Sequence, residues 1–316
     1  MKSNNFLWLV FVALVGLYFT NKYACSSKER SFNAELVSLD SLAVNEIVFR
    51  IKADEEIQIK KEGEDWIVSQ AGKSVKAKTE TISAILSQIC HIHATGIVAK
   101  TPDKWASYEV SDSLGTKVKV YENSKLKESF IIGRFNFNQQ NQAMTSFVRM
   151  EGDNEIYAVN SFLAVVFGRG FDAFRNQVLA EAPAAEITEI KFENKDTAYL
   201  ISKNEMGQWL LDGQQDLDSA KVENYLQAFE RLGSPDFEDN FDELSKEKNF
   251  IEKVILKIEN RLEPLEISCY RDTVFKGPFV LESSDNEGTY FSSDSSGIMG
   301  KIFRQPEDFF IEKKKN

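Results

Sequence analysis

The alternation of apolar and polar positions predicts a short β-hairpin near the start of each half of the chain. In the first half, Ile59 and Trp66 belong to two alternating segments that flank a turn at 62–65. This period of two is typical of half-buried strands. In the second half, Trp209 lies in a similar segment after a turn at 204–207. Both segments therefore predict paired antiparallel strands.

An amphipathic helix is predicted after each hairpin. Apolar residues recur there at the spacing of one helix face, namely Ile82, Ile85, Leu86 and Ile89 in the first half, and Val222, Tyr225, Leu226 and Phe229 in the second. We expect Pro102 and Pro235 to stop these helices, because proline cannot continue the hydrogen-bond ladder. Four further strands and a short closing helix are predicted in each half, with Ser161 and Ser296 as the helix N-caps.

The predicted elements recur in the same order, which indicates an internal repeat. Trp66 and Trp209 are 143 positions apart, and Phe167 and Phe303 are 136 apart. We therefore predict an α+β fold made of two tandem copies of an antiparallel-sheet domain with helices on one face, preceded by an N-terminal hydrophobic segment. The predicted boundaries are 1–30 for a membrane anchor or signal segment, 31–180 for the first copy and 181–316 for the second, with 180–185 as the linker.

An uncharged apolar run occupies residues 6–20 and predicts attachment to a membrane. Its length is that of a signal-peptide core and is short of the ~20 residues that a spanning helix prefers. Cys25 is a candidate lipidation site, although Lys22 stands where lipoprotein signals have an aliphatic residue. We therefore favour an uncleaved inner-membrane anchor over a lipoprotein. The basic residues after the run do not favour export. The order of a basic N-terminus, an apolar run and one long soluble region does favour it, so we expect the soluble part of the chain in the periplasm.

Composition excludes one class of partner. The chain carries 49 acidic and 38 basic residues, a net charge of -11. Nucleic-acid binding depends on a concentrated basic surface, whereas a chain of this negative charge repels a phosphate backbone. We interpret the basic run at 313–315 as a solvated tail and expect no nucleic-acid partner.

The residue types that bind metals are concentrated in one place, Cys90-His91-Ile92-His93. We expect this segment to be a fraying helix end and not a metal site, because neighbouring helical side chains point about 100° apart. Cys90 and Cys269 are expected to be small buried apolar residues. The acidic stretch 236–243 is expected to be a solvated loop anchored by Phe241. The segment 168–170 is expected to be a helix end and turn, not a phosphate cradle.

Several segments together resemble the bacterial DUF4340 family, a domain of unknown function. They are the Trp66 hairpin strand, the helix that follows, the Thr101-Pro102-Asp103 segment, a loop centred on Tyr108, the strand that ends at Gly133-Arg134, and Phe174-Arg175-Asn176-Gln177. The resemblance covers most of the first half and a weaker version of the second. It implies a membrane-tethered envelope component, often associated with ABC-type transporter and gliding-motility auxiliary proteins. It carries over no catalytic residues.

These observations predict a binding or scaffolding subunit of an envelope complex that is not an enzyme and needs no cofactor or metal. The candidate ligand or partner surface comprises Trp105, Tyr108, Phe135, Phe137 and Arg175. For the rings, core packing under a loop is the favoured alternative. For Arg175 the alternatives are an anion clamp and an ordinary ion pair. The functional alternatives are a glycan- or small-ligand-binding module and, less favoured, a carboxylate-dependent hydrolase.

Overall fold

A computed structural model describes residues 34–140, 142–272 and 277–311. The predicted N-terminal segment 1–30, with its apolar run and Cys25, lies outside these residues. The chain forms two compact units. The first comprises residues 34–56 and Ala84–Gly168, and the second comprises Ile57–Ser83 and residues 169–311.

Strands account for most of the regular structure. In chain order they are β1 (Glu35–Ser38), β2 (Val44–Ile51), β3 (Ile57–Glu62), β4 (Asp65–Gln70), β5 (Lys73–Lys76), β6 (His91–Ala99), β7 (Thr116–Glu122), β8 (Lys125–Asn138), β9 (Ala143–Met150), β10 (Ile156–Asn160), β11 (Val178–Ala180), β12 (Ile187–Asn194), β13 (Ala198–Lys203), β14 (Trp209–Leu211), β15 (Gln215–Asp216), β16 (Leu232–Gly233), β17 (Phe250–Ile258), β18 (Leu265–Arg271), β19 (Phe279–Ser283) and β20 (Phe291–Ser293). The helices are α1 (Thr79–Ile89), α2 (Leu163–Phe167), α3 (Ser219–Leu226), α4 (Lys246–Asn249) and α5 (Ile298–Ile302). Antiparallel sheets with a few short helices make this an α+β fold, as predicted.

The first unit is built on one antiparallel sheet, with strands in the order β1-β6-β10-β9-β8-β7-β2. Its central strands bury alternate side chains on one face, including Phe130 and Ile132 of β8. The short helix α2 packs there, and the ring of Phe167 meets that of Phe49 edge-on at 5.1 Å. The sheet and α2 therefore enclose the main core of this unit.

The second unit contains an antiparallel sheet in the order β15-β14-β13-β12-β17-β18-β19-β20. The hairpin β3-β4-β5 and the small pair β11-β16 belong to the same unit. Trp209, Phe229 and Phe291 are fully buried in its core, which α3 and α5 also enter. Large aromatic side chains contribute most of the apolar surface that such a core buries.

The two predicted helix stops and the two predicted helix N-caps are wrong. The helix α3 ends at Leu226, and the strand β16 lies between it and Pro235. The helix α1 ends at Ile89 and a strand begins at His91, so Pro102 does not stop a helix but starts a 3-10 turn. The N-caps of the closing helices are Phe162 and Gly297, one position after the predicted serines. Serines from the preceding strands supply part of the capping instead. Ser146 Oγ accepts from the Ala164 N–H, and Ser293 Oγ accepts from the Met299 N–H, both at 3.1 Å.

Buried and exposed residues alternate in the predicted linker 180–185. Ala180 and Ala182 are fully buried in the core of the second unit. The Ala182 N–H donates to the Phe229 carbonyl at 2.9 Å. Small side chains allow this backbone to pack closely. Within residues 34–140, 142–272 and 277–311, no helix has both the length and the apolar character needed to cross a bilayer.

Candidate functional site

The loop between β6 and β7 packs on the second face of the first unit's sheet. Arg149 of β9 is 4% exposed, and its guanidinium carbon lies 3.9 Å from the centre of the Trp105 ring. The same guanidinium donates to the Val110 carbonyl and to Asp112, both at 2.9 Å. The Trp105 indole N–H donates to the Asn154 carbonyl at 3.1 Å. Trp105 therefore holds the loop on the sheet, and one ring face is already occupied by a cation.

Tyr108 belongs to the same packed loop. Its ring meets the Phe147 ring edge-on at 4.7 Å, and Arg134 lies over it at 5.4 Å from the centre. The Tyr108 carbonyl accepts from the Arg134 N–H at 3.0 Å. A Cβ added to Gly133 would lie 2.1 Å from that carbonyl oxygen, so only glycine permits this approach. Tyr108 and Gly133, two of the residues behind the family resemblance, thus meet at one backbone contact.

A β-bulge next to this contact controls where Phe135 and Phe137 point. Ile132 pairs with Val148, but the next pair is Phe135 with Ser146. Three positions on β8 therefore correspond to two on β9, which is the signature of an extra residue in one strand. In a regular strand Phe135 would share a face with Ile131, under the loop. The bulge places it on the other face, with Ile132.

Phe135 and Phe137 share one face of β8, and Phe162 begins the helix α2, which packs against that strand. Phe135 lies opposite Ser146, whose hydroxyl contacts the first turn of α2, so the side chains of this register lie on the helix-covered face. Phe162 is the N-cap of that helix. The three rings are 50%, 48% and 55% exposed. We call these three residues the aromatic rim.

The aromatic rim can bind an apolar surface. Phenylalanine has no polar group, so these rings offer large apolar area without hydrogen bonds of their own. The predicted core packing is wrong for Phe135 and Phe137, because the bulge turns them away from the loop. It holds in part for Trp105, which is half-buried against the cluster of Val110, Ile131, Phe147 and Ile156.

Arg175 is buried in the second unit and its partners are carboxylates of the chain itself. Its side chain is fully buried, and both terminal nitrogens donate to Asp239 at 2.9 Å. Asp172 accepts a third bond at 3.1 Å. The Phe237 ring lies against the guanidinium, with its centre 3.5 Å from the central carbon. A bidentate pair of this kind has strong geometric specificity. Arg175 is thus an ion-pairing residue and not an anion clamp.

The surroundings of Asp239 keep it ionised. Burial alone would raise the pKa of this carboxyl, but hydrogen bonds from Arg175 and Lys73 outweigh burial and lower the pKa below its ordinary value. The predicted solvated loop 236–243 is therefore tied down at several points, among them backbone hydrogen bonds of Asp236 and Glu238 to Ser292 and Tyr290. This ion pair is another, and so is Phe241, which anchors the loop as predicted and is buried against Tyr270 and Tyr290.

The Cys-His segment forms no cluster of ligands. Cys90 is fully buried after α1, whereas His91 and His93 project from β6 on the exposed side of the strand. Burial, reinforced by Glu122 and Asp40, raises the pKa of the Cys90 thiol to about 11. Cys269 is also buried, and burial raises its pKa further. Within the described ranges, no three His, Cys, Asp or Glu side chains are grouped as a metal site would require.

Sequence reasoning missed two residues of the first unit. Arg149 had no motif to distinguish it from other surface cations, and its burial depends on the loop that folds over β9. Phe162 directly follows the predicted N-cap Ser161 and was therefore expected inside the closing helix. The shift of the N-cap to Phe162 leaves that ring outside the helix.

Comparison with known proteins identifies one family. A family model described as a domain of unknown function, DUF4340, matches residues 68–252, more than half of the chain. The match begins within the first predicted copy and extends into the second. No curated protein and no solved structure matches the chain.

Proposed function

The chain belongs to the DUF4340 family, and on that premise we propose that it is a membrane-tethered, extracytoplasmic binding or scaffolding subunit of an envelope complex. In this proposal residues 6–20 form an inner-membrane anchor and the body lies in the periplasm. The partner is an envelope protein, for instance a component of an ABC-type transporter or a gliding apparatus. The aromatic rim is the observation that carries the proposal.

Three half-exposed phenylalanines in one region favour a protein partner over a glycan. A glycan-binding platform combines rings with polar side chains that bond hydroxyl groups, whereas an interface anchor is a large apolar ring that enters a pocket. About half of Phe137 and of Phe162 is exposed. Each therefore offers about 100 Å² of apolar area to a partner, since a phenylalanine buries ~200 Å² in full. Burial of that area on a partner is worth about 2.5 kcal/mol per ring at ~25 cal/mol per Å².

A duplicated domain is also part of the proposal. The strand order β10-β9-β8-β7-β2 in the first unit parallels β20-β19-β18-β17-β12 in the second. Positions 143 apart have matching burial, as for Ile47 with Ile190, both fully buried. The strand order and the matching burial support the repeat, which would give one chain two related surfaces for assembly.

Site-specific photocrosslinking in the membranes of the native host tests the proposed docking. A photoreactive amino acid replaces Phe137 or Phe162 in the full chain, and the matched control replaces Leu126. That residue is 51% exposed on the same strand, β8, but outside the rim. We expect one discrete crosslinked protein from each rim position and not from the control.

The crosslink should also depend on the rim itself. Phe135→Asp in the same chain should reduce the crosslinked band at position 137 at least tenfold, because a carboxylate cannot enter an apolar interface. Equal labelling at the rim and at Leu126, or no protein product at all, would contradict the proposal. Membrane fractionation of the chain with and without residues 1–30 tests the tether separately.

A further inference from the structure

The second unit contains a concave pocket of about 450 Å³ next to its C-terminal turn. Helix α3 forms one wall through Lys221 and Tyr225. The segment that follows α5 forms the other wall, with Arg304 and Phe309, and Lys301 of α5 stands at its edge. The pocket belongs wholly to this unit and shares no residue with the aromatic rim.

The bottom of the pocket is apolar. The buried rings of Tyr225 and Phe309 meet edge-on at 5.3 Å. The Tyr225 hydroxyl donates to the Ile302 carbonyl at 2.6 Å, so its polar end is already satisfied inside the protein. Ala228 completes this surface. A ligand would meet ring edges and a methyl group here.

The rim of the pocket is positively charged in an otherwise acidic chain. Lys221, Lys301 and Arg304 line it, against one carboxylate, Asp308, in a chain of net charge -11. Asp308 accepts the Gln305 backbone N–H at 3.1 Å as part of a capping box. The Lys221 ammonium donates to a backbone carbonyl at 3.1 Å.

Lys301 and Arg304 are the two cations available to a ligand. Both side chains are exposed, and in the described ranges neither makes a side-chain hydrogen bond or ion pair. The backbone of Arg304 is nevertheless fixed, because its carbonyl accepts from the Tyr199 hydroxyl. An anchored backbone with an unpaired guanidinium presents a planar fork of donors at a defined place. Clustered cations above a concave floor also concentrate anions.

We propose that this pocket binds a phosphate group attached to an apolar body. The phosphoryl oxygens would contact Arg304 and Lys301, with Lys221 adding charge from the other wall, and the apolar part would rest on Tyr225 and Phe309. A doubly charged phosphoryl group with several oxygens suits three cations better than a single carboxylate does. The phosphate can come from a soluble monoester or from a lipid headgroup, and the recognition chemistry is the same.

Calorimetric titration of the full chain in a neutral detergent tests this site at constant ionic strength. The probes are inorganic phosphate, phenyl phosphate, and dihexanoyl phosphatidic acid, a lipid whose headgroup is a phosphate monoester, below its micellar concentration. We expect phenyl phosphate or the short-chain lipid to bind at least threefold more tightly than inorganic phosphate, because only these two have an apolar part. The tighter of the two identifies the source as a soluble ester or a headgroup.

Two double variants distinguish binding in the pocket from a general effect of positive charge. Lys301→Ala with Arg304→Ala should weaken binding of the tighter probe at least tenfold. Lys248→Ala with Arg271→Ala removes the same charge from exposed positions that do not line the pocket, and should change binding less than twofold. Equal loss in both pairs, or no probe binding below about 10 mM, would overturn the proposal. Neither result bears on crosslinking at the aromatic rim.

Discussion

Removing the Asp239 carboxylate should destabilise the protein far more than removing Asp172, although both bind the same guanidinium. Asp239 accepts two bonds at 2.9 Å from a fully buried Arg175, whereas Asp172 accepts one at 3.1 Å and is 66% exposed. Removing one partner of a buried ion pair typically costs ~3–5 kcal/mol, because an uncompensated charge stays buried. Asp239 is itself 37% exposed and Asp172 would persist, so we expect about 2–3 kcal/mol for Asp239→Ala.

The control variant sets the scale. Asp172→Ala should cost less than about 1 kcal/mol, as exposed ion pairs usually do. A loss of 1 kcal/mol lowers the unfolding temperature by about 2–4 °C in a domain of ~150–250 residues. Calorimetric melting of the full chain at pH 7 should therefore show a decrease of about 5–10 °C for Asp239→Ala and at most about 4 °C for Asp172→Ala.

A double substitution distinguishes a buried charge from a lost contact. Adding Arg175→Met to Asp239→Ala removes the uncompensated cation and places an apolar chain beside Phe237. We expect the double variant to be more stable than Asp239→Ala alone, because buried ion pairs can be replaced by apolar groups at little cost. Two results would refute the reasoning from burial. One is that Asp239→Ala loses no more stability than Asp172→Ala, and the other is that adding Arg175→Met lowers the stability of Asp239→Ala further.

Three further outcomes are expected. The pKa of Asp239 in the folded protein lies below its ordinary 3.8. The ionised carboxylate therefore stabilises the fold above pH 3.8, and this stability is lost as the pH falls through the folded pKa. The difference in urea midpoint between the wild type and Asp239→Asn should stay constant from pH 5 to 7 and narrow below pH 4. Gly133→Ala should cost about 2 kcal/mol or more in urea unfolding, because its Cβ meets backbone, whereas Gly96→Ala, which meets nothing within 4 Å, should be nearly neutral. In a chain whose third cysteine is replaced by serine, Cys90 and Cys269 should not react with a thiol reagent at pH 8 until the protein is unfolded, and rapid labelling of the native protein would contradict their burial.

Local patterns predicted the paired strands and the long helices well. The turn at 62–65 joins β3 and β4, and the apolar face at 82–89 forms the buried side of α1. These features depend on side-chain period, which is visible in a single sequence. The end of α1 was harder, because a nine-residue strand, His91–Ala99, follows it after a single intervening residue. That strand is held by pairing with β1 and β10, which are distant in sequence.

The positions of Phe135, Phe137 and Arg175 could not be predicted from side-chain period alone. Strict alternation from Ile131 places Phe135 beneath the loop that Trp105 anchors. The bulge adds one residue and inverts this assignment for Phe135 and Phe137. It lies beside a close contact between Gly133 and a loop some 25 positions earlier in the chain. Arg175, expected on the candidate surface, is buried and pairs with Asp239, which is 64 residues away. Neither contact leaves a periodic signal.

The middle of the first unit's sheet is covered on both sides, by α2 on one and by the loop of Trp105 and Tyr108 on the other. A visiting macromolecule cannot lie flat against β8 or β9 there and must approach the tips of the strands. Under the proposed function, a partner would therefore be recognised by the outermost few positions of the hairpins. Among relatives, differences in partner choice should therefore map to strand tips, while the centres of the same strands stay constrained by packing.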